Sequence, residues 1–432
     1  MLLFAGAILV VLAFILVDVP IAFSFGSVAF GFGYLTGRDL DFLLPYAFWQ
    51  AGGFALLALP LFILTGAVMI PSGISDRMVN LINAFVGHIK GALGVVTIVA
   101  CALFGAMSGS ASSAIAAIGS VMIPRMSEEG YPRGYVASLV AVSSVLTILV
   151  PPSIPMILFA LAGRLPVTAC FLSTVGSAFV LVVLFSLLNF HHLRKYDIRV
   201  ATSGTFKEFA ANARTHTVRG IPALILPAIM LGGIYGGIFT PTEAAAVCFT
   251  YAVALGFITR RLNLQNTADV IVRGAAVTAT VMIILLFIFV MTRAMVLEQI
   301  PKEIALWLTS LSDNKLVLLL LINVILLAIG MVVDDASGSI LAAIVLLPVA
   351  TEIGIHPIHF AAIVGVNIAA GNITPPCAPL LYLAGAVGKA TLPEMLGPTF
   401  KFLLAGYLPV ILLVTYVPEL ALFLPRTLLG IG

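Results

Sequence analysis

The chain has 432 residues, of which 61% are hydrophobic and only 9% charged, with a net charge of +3. A soluble domain carries about a quarter of its residues as charges, so this composition excludes one, and the small net charge gives no reason to expect a nucleic-acid partner. Apolar runs recur along almost the whole chain, leaving room for about ten to twelve membrane segments at ~20 residues each, some of them broken hairpins. The short alternating strands of a β-barrel are not visible, so the expected fold class is an all-α polytopic membrane protein embedded in a lipid bilayer.

The N-terminus, Met1-Leu2-Leu3-Phe4, has no basic residue ahead of its apolar run. This reads as a retained first span rather than a cleaved signal peptide, with an outward N-terminus. Pro20 then stands at the first turn of an apolar helix, where its missing N–H costs nothing. The polar cluster Ser108-Gly109-Ser110-Ala111-Ser112-Ser113 interrupts the next apolar stretch, and Pro124 follows it. Thr147-Ile148-Leu149-Val150-Pro151-Pro152-Ser153 brings two prolines into an apolar segment. The stretch from His191 to Arg219 carries Arg194, Lys195, Arg199, Lys207, Arg214 and Arg219 against Asp197 and Glu208. By the positive-inside rule it faces the cytoplasm. Arg260, Arg261 and Arg273 form a second, weaker basic group.

Thr240-Pro241-Thr242-Glu243 has the pattern of a helix-capping box, which explains the acid better than a functional role does. Arg293 ends the apolar run Val281 to Met291 and reads as a side chain snorkelling to a headgroup in preference to one pairing with substrate. Asp334-Asp335-Ala336-Ser337-Gly338-Ser339 is the second polar cluster. His356 and His359 flank Pro357 with no third ligand in view, so no metal site is expected there. Asn367 precedes the second double proline, Pro375-Pro376, and is placed either to ligate an ion or to hydrogen-bond a freed carbonyl. Cys101, Cys170, Cys248 and Cys377 lie singly in apolar surroundings and read as small buried hydrophobes.

The two halves say the same thing. Pro151 and Pro375 are 224 residues apart, as are Pro124 and Pro348, Gly130 and Gly354, Ser110 and Asp334, and Ser113 and Ser337. Pro20 and Pro241 are 221 apart, and Leu61-Phe62-Ile63 matches Leu286-Phe287-Ile288 at 225. The chain therefore divides into a first repeat half at 1–190, a basic loop at 191–219 and a second repeat half at 220–432. Spacing alone leaves open whether the repeats run parallel or inverted. Prolines inside a membrane helix free backbone carbonyls, which are tolerated only beside protein or water. A duplicated break is the expected mark of a transporter site between two repeats. Asp334 is the foremost ionisable candidate, because an intramembrane carboxylate is expensive and is kept for function. Beside hydroxyls and carbonyl oxygens it suits a hard cation such as Na⁺, while the open N–H groups of half-helix starts suit an anionic carboxylate. Close helix packing is the rival explanation for the Ser- and Gly-rich clusters.

In these residues the chain resembles the large membrane subunit of the tripartite ATP-independent periplasmic (TRAP) transporters. The resemblance runs along nearly the whole sequence. It is carried by Leu59-Pro60-Leu61-Phe62-Ile63-Leu64, Ser108-Gly109-Ser110, Ile118-Gly119-Ser120, Ile123-Pro124-Arg125-Met126 and Ile148-Leu149-Val150-Pro151-Pro152-Ser153-Ile154. It continues through Phe239-Thr240-Pro241-Thr242-Glu243-Ala244-Ala245, Gly354-Ile355-His356-Pro357-Ile358-His359-Phe360 and Ile373-Thr374-Pro375-Pro376. The resemblance implies inverted repeats, an elevator-type mechanism and a bacterial inner-membrane location. It also implies Na⁺ as coupling ion with no ATP, and import of a small organic acid, a C4-dicarboxylate or sialic acid for instance. The implied partners are a periplasmic solute-binding protein and a small four-helix membrane subunit on a separate polypeptide. The resemblance and the reading of the clusters together make the candidate sodium- and substrate-binding residues Ser108, Gly109, Ser110, Ser112, Ser113, Thr147, Pro151 and Pro152 in the first half. In the second half they are Asp334, Ser337, Asn367, Gly371, Thr374, Pro375 and Pro376.

The sequence also departs from that pattern. Ser143-Ser144-Val145-Leu146-Thr147 replaces the usual Gly-Gly-Thr-Leu-Gly, Cys377-Ala378 replaces Val-Gly, and His356 stands where the family has Asp. Losing glycines at the first kink changes which carbonyls can approach an ion. Two other readings compete: a single-component sodium or proton symporter for organic anions, and a membrane enzyme. The enzyme reading lacks HExxH, GxSxG or any base beside the serines, and no P-loop for ATP is present.

Overall fold

The computed structural model describes residues 21–35, 41–86, 91–194, 206–312 and 314–431, with a few isolated positions before residue 21. The N-terminal run Met1 to Phe4, Pro20, and Lys195 and Arg199 of the basic stretch lie outside the described residues. All regular structure among the described residues is helical. The first half holds α1 (Ile21–Leu35), α2 (Leu43–Ala51), α3 (Ala58–Met69), α4 (Ile74–Val86), α5 (Ala92–Ser108), α6 (111–128), α7 (Arg133–Ser144), α8 (Ile154–Ala162) and α9 (Val167–Leu193). After α10 (Phe206–Pro227) come α11 (Pro241–Ile258), α12 (Leu264–Leu297), α13 (Ile300–Leu311), α14 (Lys315–Val332) and α15 (Asp335–Glu352). The chain ends with α16 (Pro357–Gly371), α17 (Pro379–Gly388), α18 (Leu392–Tyr416) and α19 (Glu419–Leu429).

Among the described residues seven helical stretches are long and apolar enough to cross a membrane, or eight if α3 and the start of α4, bent by 69°, count as one. Four shorter apolar helices, α5, Gly220–Tyr235, α16 and α17, account for the larger number read from the sequence. The segment from Phe206 to Arg219, counted as part of the basic loop, is the first part of α10.

The repeat is visible in local geometry. Gly130 and Gly354 both take positive φ, and both Pro-Pro bonds are cis. α6 and α15 each contain a π-helical turn, at Ile115–Gly119 and Ala342–Leu346. α7 and α16 begin 224 residues apart, and Gly134–Ser144 and Ile358–Gly371 are buried without interruption. A helix apolar on every side belongs in the middle of a bundle, and these two form the centre. The Pro241 start of α11 has the expected capping box, with Thr240 Oγ1 accepting from the Glu243 amide at 3.3 Å and Glu243 Oε2 accepting from the Thr240 amide at 2.8 Å.

Packing between the halves is reciprocal. α1 lies on α12 while α11 lies on α3, and α8 packs on the first turns of α15 while α17 packs on α6 and α7. Each half thus closes against the other half's equivalent element, as a pseudo-twofold relation requires. α14 packs on α16 as α5 does on α7 and on the helical turn Leu146–Leu149 that follows it, and small residues permit the approach. A methyl group on Gly105 would stand 2.6 Å from the Thr147 Cα, and one on Gly371 2.5 Å from Gly330. Either distance is well inside van der Waals contact, so glycine is needed at both crossings.

Candidate functional site

The first break forms where α5 stops. Gly109 turns the chain with φ 60°, a conformation glycine adopts freely. Its Cα faces the carbonyl of Pro152, where an added Cβ would lie 2.6 Å away, and its own carbonyl accepts from the Ile154 amide at 3.4 Å. The Ser108-to-Ser110 turn and the Pro151-Pro152 turn are therefore one structure. Ser110 caps α6, its Oγ accepting from the Ser113 amide at 3.4 Å and lying 3.1 Å from the exposed Ser112 hydroxyl. Ser153 caps α8, accepting from Met156 at 3.4 Å. Ser108 is buried and its hydroxyl returns to the Phe104 carbonyl at 3.1 Å. The buried hydroxyls of Ser143 and Thr147 find no hydrogen-bond partner among the described residues.

The second break repeats the plan with a different head group. α14 ends at Val332, Val333 is extended, and Asp334 caps α15. Asp334 Oδ2 accepts from the Ala336 and Ser337 amides, both at 3.1 Å, and Asp335 Oδ1 also accepts from Ala336 at 3.1 Å. The other oxygen of Asp334, Oδ1, is buried and unpartnered among the described residues, as are the hydroxyls of Ser337 and Ser339 and Oδ1 of Asn367. Thr374 donates to the Ala370 carbonyl at 2.6 Å, Pro375 is half-buried and Pro376 exposed. Ala378, at the family's glycine position, is left-handed with φ 35°.

The structure thus joins Ser108, Gly109 and Ser110 to Pro151 and Pro152 at the first break, with Ser113 one turn on and Thr147 against Gly105. In the second half Gly371, just before Thr374, Pro375 and Pro376 in the chain, lies against Gly330, about one turn before Asp334 and Ser337. Asn367 sits one turn before Gly371. Its amide donates to Asn323 Oδ1 at 2.6 Å and to the Ile363 carbonyl at 2.8 Å. Thr415 adds a third member, donating to Asn323 at 3.1 Å. Reading the sequence missed Asn323 and Thr415, and it quoted Ser143 and Ser339 without making them candidates. The repeat itself carried a signal for one of them, since Ser143 stands 224 residues before Asn367. His356 and His359 are structural: His356 Nδ1 accepts from the Ile358 amide at 3.2 Å, and His359 Nε2 meets the Val414 carbonyl at 2.7 Å.

Chemically, the two breaks gather oxygen. Six buried side-chain oxygens without a partner among the described residues lie within about two helical turns of a break: Ser143, Thr147, Asp334, Ser337, Ser339 and Asn367. A buried polar atom left unmet costs about 1–3 kcal/mol, and a hard cation takes such oxygens as ligands. Helix N-termini stand beside them. α6 and α8 begin at one turn, and α8 packs on the start of α15. Their open amides and dipoles favour an anion.

Comparison with known proteins gives a consistent result. The family described as "Tripartite ATP-independent periplasmic transporter, DctM component" matches residues 8–420. The chain is 35% identical over 377 residues to the C4-dicarboxylate TRAP transporter large permease protein DctM of Pseudomonas aeruginosa, covering 87% of each. It is 32% identical over 416 residues to the isethionate TRAP transporter permease protein DctMQ of Oleidesulfovibrio alaskensis. That alignment takes in 95% of this chain but only 64% of the longer relative. In fold it is similar to the Alcanivorax borkumensis YdaH transporter, with a TM-score of 0.60 at 17% identity, over 88% of this chain and 90% of that one.

Proposed function

The chain belongs to the DctM-component family of tripartite ATP-independent periplasmic transporters, and on that premise we propose that it is the large membrane subunit of a sodium-coupled importer of a small organic acid. The observation that carries this reading is the set of six buried oxygens without a partner among the described residues, at two equivalent helix breaks. The carboxylate of Asp334 is the one formal charge among them, and with the neighbouring hydroxyls and backbone carbonyls it offers Na⁺ an all-oxygen site. The acid's carboxylate lies at the adjoining helix starts, where amides and dipoles attract it.

The two breaks belong to a moving body built around α7 and α16. α1, α3, α11 and α12 form the scaffold it slides against. Sodium and acid favour each other because both bind the same pair of breaks, which is a coupling free energy shared between sites. The gradient drives the cycle without ATP. A periplasmic binding protein delivers the acid and a small four-helix subunit widens the scaffold, in a bacterial inner membrane with the 191–219 segment cytoplasmic. The relatives' printed substrates, a C4-dicarboxylate and isethionate, share a small anionic head, and that is the substrate class proposed here.

The test is uptake into vesicles holding this chain with its small subunit. Candidate acids are offered with and without an inward sodium gradient, and with and without the binding protein. Uptake that needs both supports the reading. Sodium-independent uptake sinks the coupling, and undiminished uptake without the binding protein favours a single-component symporter.

A further inference from the structure

A second polar feature lies away from the breaks. A cavity of about 240 Å³ opens between α2, α12 and the end of α8. Its polar lining is Tyr46, Gln50, Arg164, Thr292 and Arg293, with no carboxylate among the described residues that line it. Arg293 reads from sequence as a side chain reaching for a headgroup. In the structure its guanidinium lies 5.3 Å from the centre of the Tyr46 ring, and its Nε is buried with no acceptor among the described residues. A cation–π contact holds the charge inside the protein. Gln50 donates to the Tyr46 hydroxyl at 3.3 Å and so orients the ring that holds it. Arg164, left-handed at φ 54°, is exposed at the mouth.

The cavity also has a side. α9 starts three residues after Arg164 and runs 27 residues to Leu193, where the basic stretch begins. At ~1.5 Å per residue that is about 40 Å, enough to cross the ~30 Å hydrocarbon layer. α12 starts beside Arg260 and Arg261 and reaches Arg293 after a comparable length. Both helices thus separate the cavity from a basic group. Since basic groups stay inside, the cavity faces outward, where a delivered substrate arrives.

We infer that this cavity is an outward-facing vestibule in which Arg293 and Arg164 hold the carboxylate or sulfonate of a small organic acid before it reaches the breaks. The inference rests on the import reading and adds a second station to it. The volume lies just below the ~300–1,000 Å³ of drug-sized pockets, so it suits a small acid. Two guanidiniums with no carboxylate among the described residues that line the cavity select an anion. Arg164 rides at the end of α8, which carries the first break, whereas Tyr46, Gln50 and Arg293 belong to α2 and α12. Sliding one group past the other separates the two arginines, which weakens the vestibule's hold as the breaks take over.

Two measurements test this on the complete complex. In the first, Gln50→Cys is labelled from outside with an anionic and with a cationic methanethiosulfonate, above the background of the chain carrying its native cysteines. The anionic reagent should react faster. Replacing Arg293 and Arg164 together by Gln should lower the anionic-to-cationic rate ratio by about tenfold, and succinate or isethionate should slow labelling only while the arginines are present. A ratio unmoved by losing both arginines overturns the vestibule, and so does protection by anionic lipid but by neither acid. This readout does not depend on transport, so it decides the vestibule even if sodium-coupled uptake fails.

In the second, Arg293→Gln should raise the KM for acid uptake by about tenfold or more with kcat within about twofold, as loss of a charged hydrogen bond does. Arg293→Lys should fall between the two. Gln50→Glu, which leaves both arginines in place, should also raise KM. A fall in kcat at unchanged KM overturns the inference.

Discussion

The two breaks share a backbone plan and differ in chemistry. Ser110 and Asp334 occupy equivalent positions, each capping a helix that soon passes through a π-helical turn. Ser110 makes one long bond, at 3.4 Å, beside an exposed serine. Asp334 makes two at 3.1 Å and keeps a second oxygen buried and without a partner among the described residues. An N-cap alone asks for no charge, since Ser and Asp cap about equally well. The carboxylate in the second half therefore exceeds what the helix needs, and the fold's symmetry is what exposes the excess.

Removing that excess should have the largest effect. Asp334→Asn keeps a capping oxygen but loses the charge, so sodium-dependent uptake should vanish while expression and unfolding temperature hold. Ser110→Ala should lower uptake only a few-fold. Equal losses at the two positions would mean the charge is not what distinguishes the breaks. Next come the helix crossings. Gly105→Ala and Gly371→Ala each force a methyl into a neighbouring backbone, at 2.6 and 2.5 Å. Each should destabilise by about 1–3 kcal/mol, read as a lowered unfolding temperature in detergent, and a large difference between them would weaken the equivalence of the halves.

Smaller effects should follow from features present only in the second half. Ala378 holds a left-handed conformation that costs an L-residue roughly 1–2 kcal/mol. Ala378→Gly should recover about 1 kcal/mol of thermal stability. No change in unfolding temperature would mean the backbone there relaxes in the membrane. Last, the start of α16 is capped by His356, whereas its counterpart α7 starts after Pro132 with no side-chain cap. Burial, and then the positive charge of Arg426, push His356 below its usual 6.5. The neutral imidazole accepts the Ile358 amide, so its contribution is present above pH 6.5 and is lost as pH falls through the lowered value. His356→Asp should flatten that acid-side loss, by about 1 kcal/mol at most. An unchanged pH profile of unfolding would remove the cap from the account.

Several of these features were legible beforehand. The capping box at Thr240 and Glu243 follows from local side-chain reach, and the repeat follows from proline and glycine, whose backbone constraints survive when other residues drift. Asn323 and Thr415 were not legible, because Asn323 meets Asn367 from 44 residues away and Thr415 meets Asn323 from 92 residues away, each on a different helix. The surroundings of Arg293 were illegible for a related reason. From the sequence it is a charge ending an apolar run; Tyr46, some 250 residues earlier, is what turns it inward.

The amino-acid sequence by itself determined an all-helical membrane protein made of two halves, each interrupted at a polar turn and a double proline, because hydropathy and proline act locally and recur at a constant spacing. Tertiary structure alone decided which polar atoms end up buried without partners among the described residues, and that Arg293 lines a cavity beside Tyr46. Those outcomes depend on how distant helices cross, and no local rule encodes a crossing.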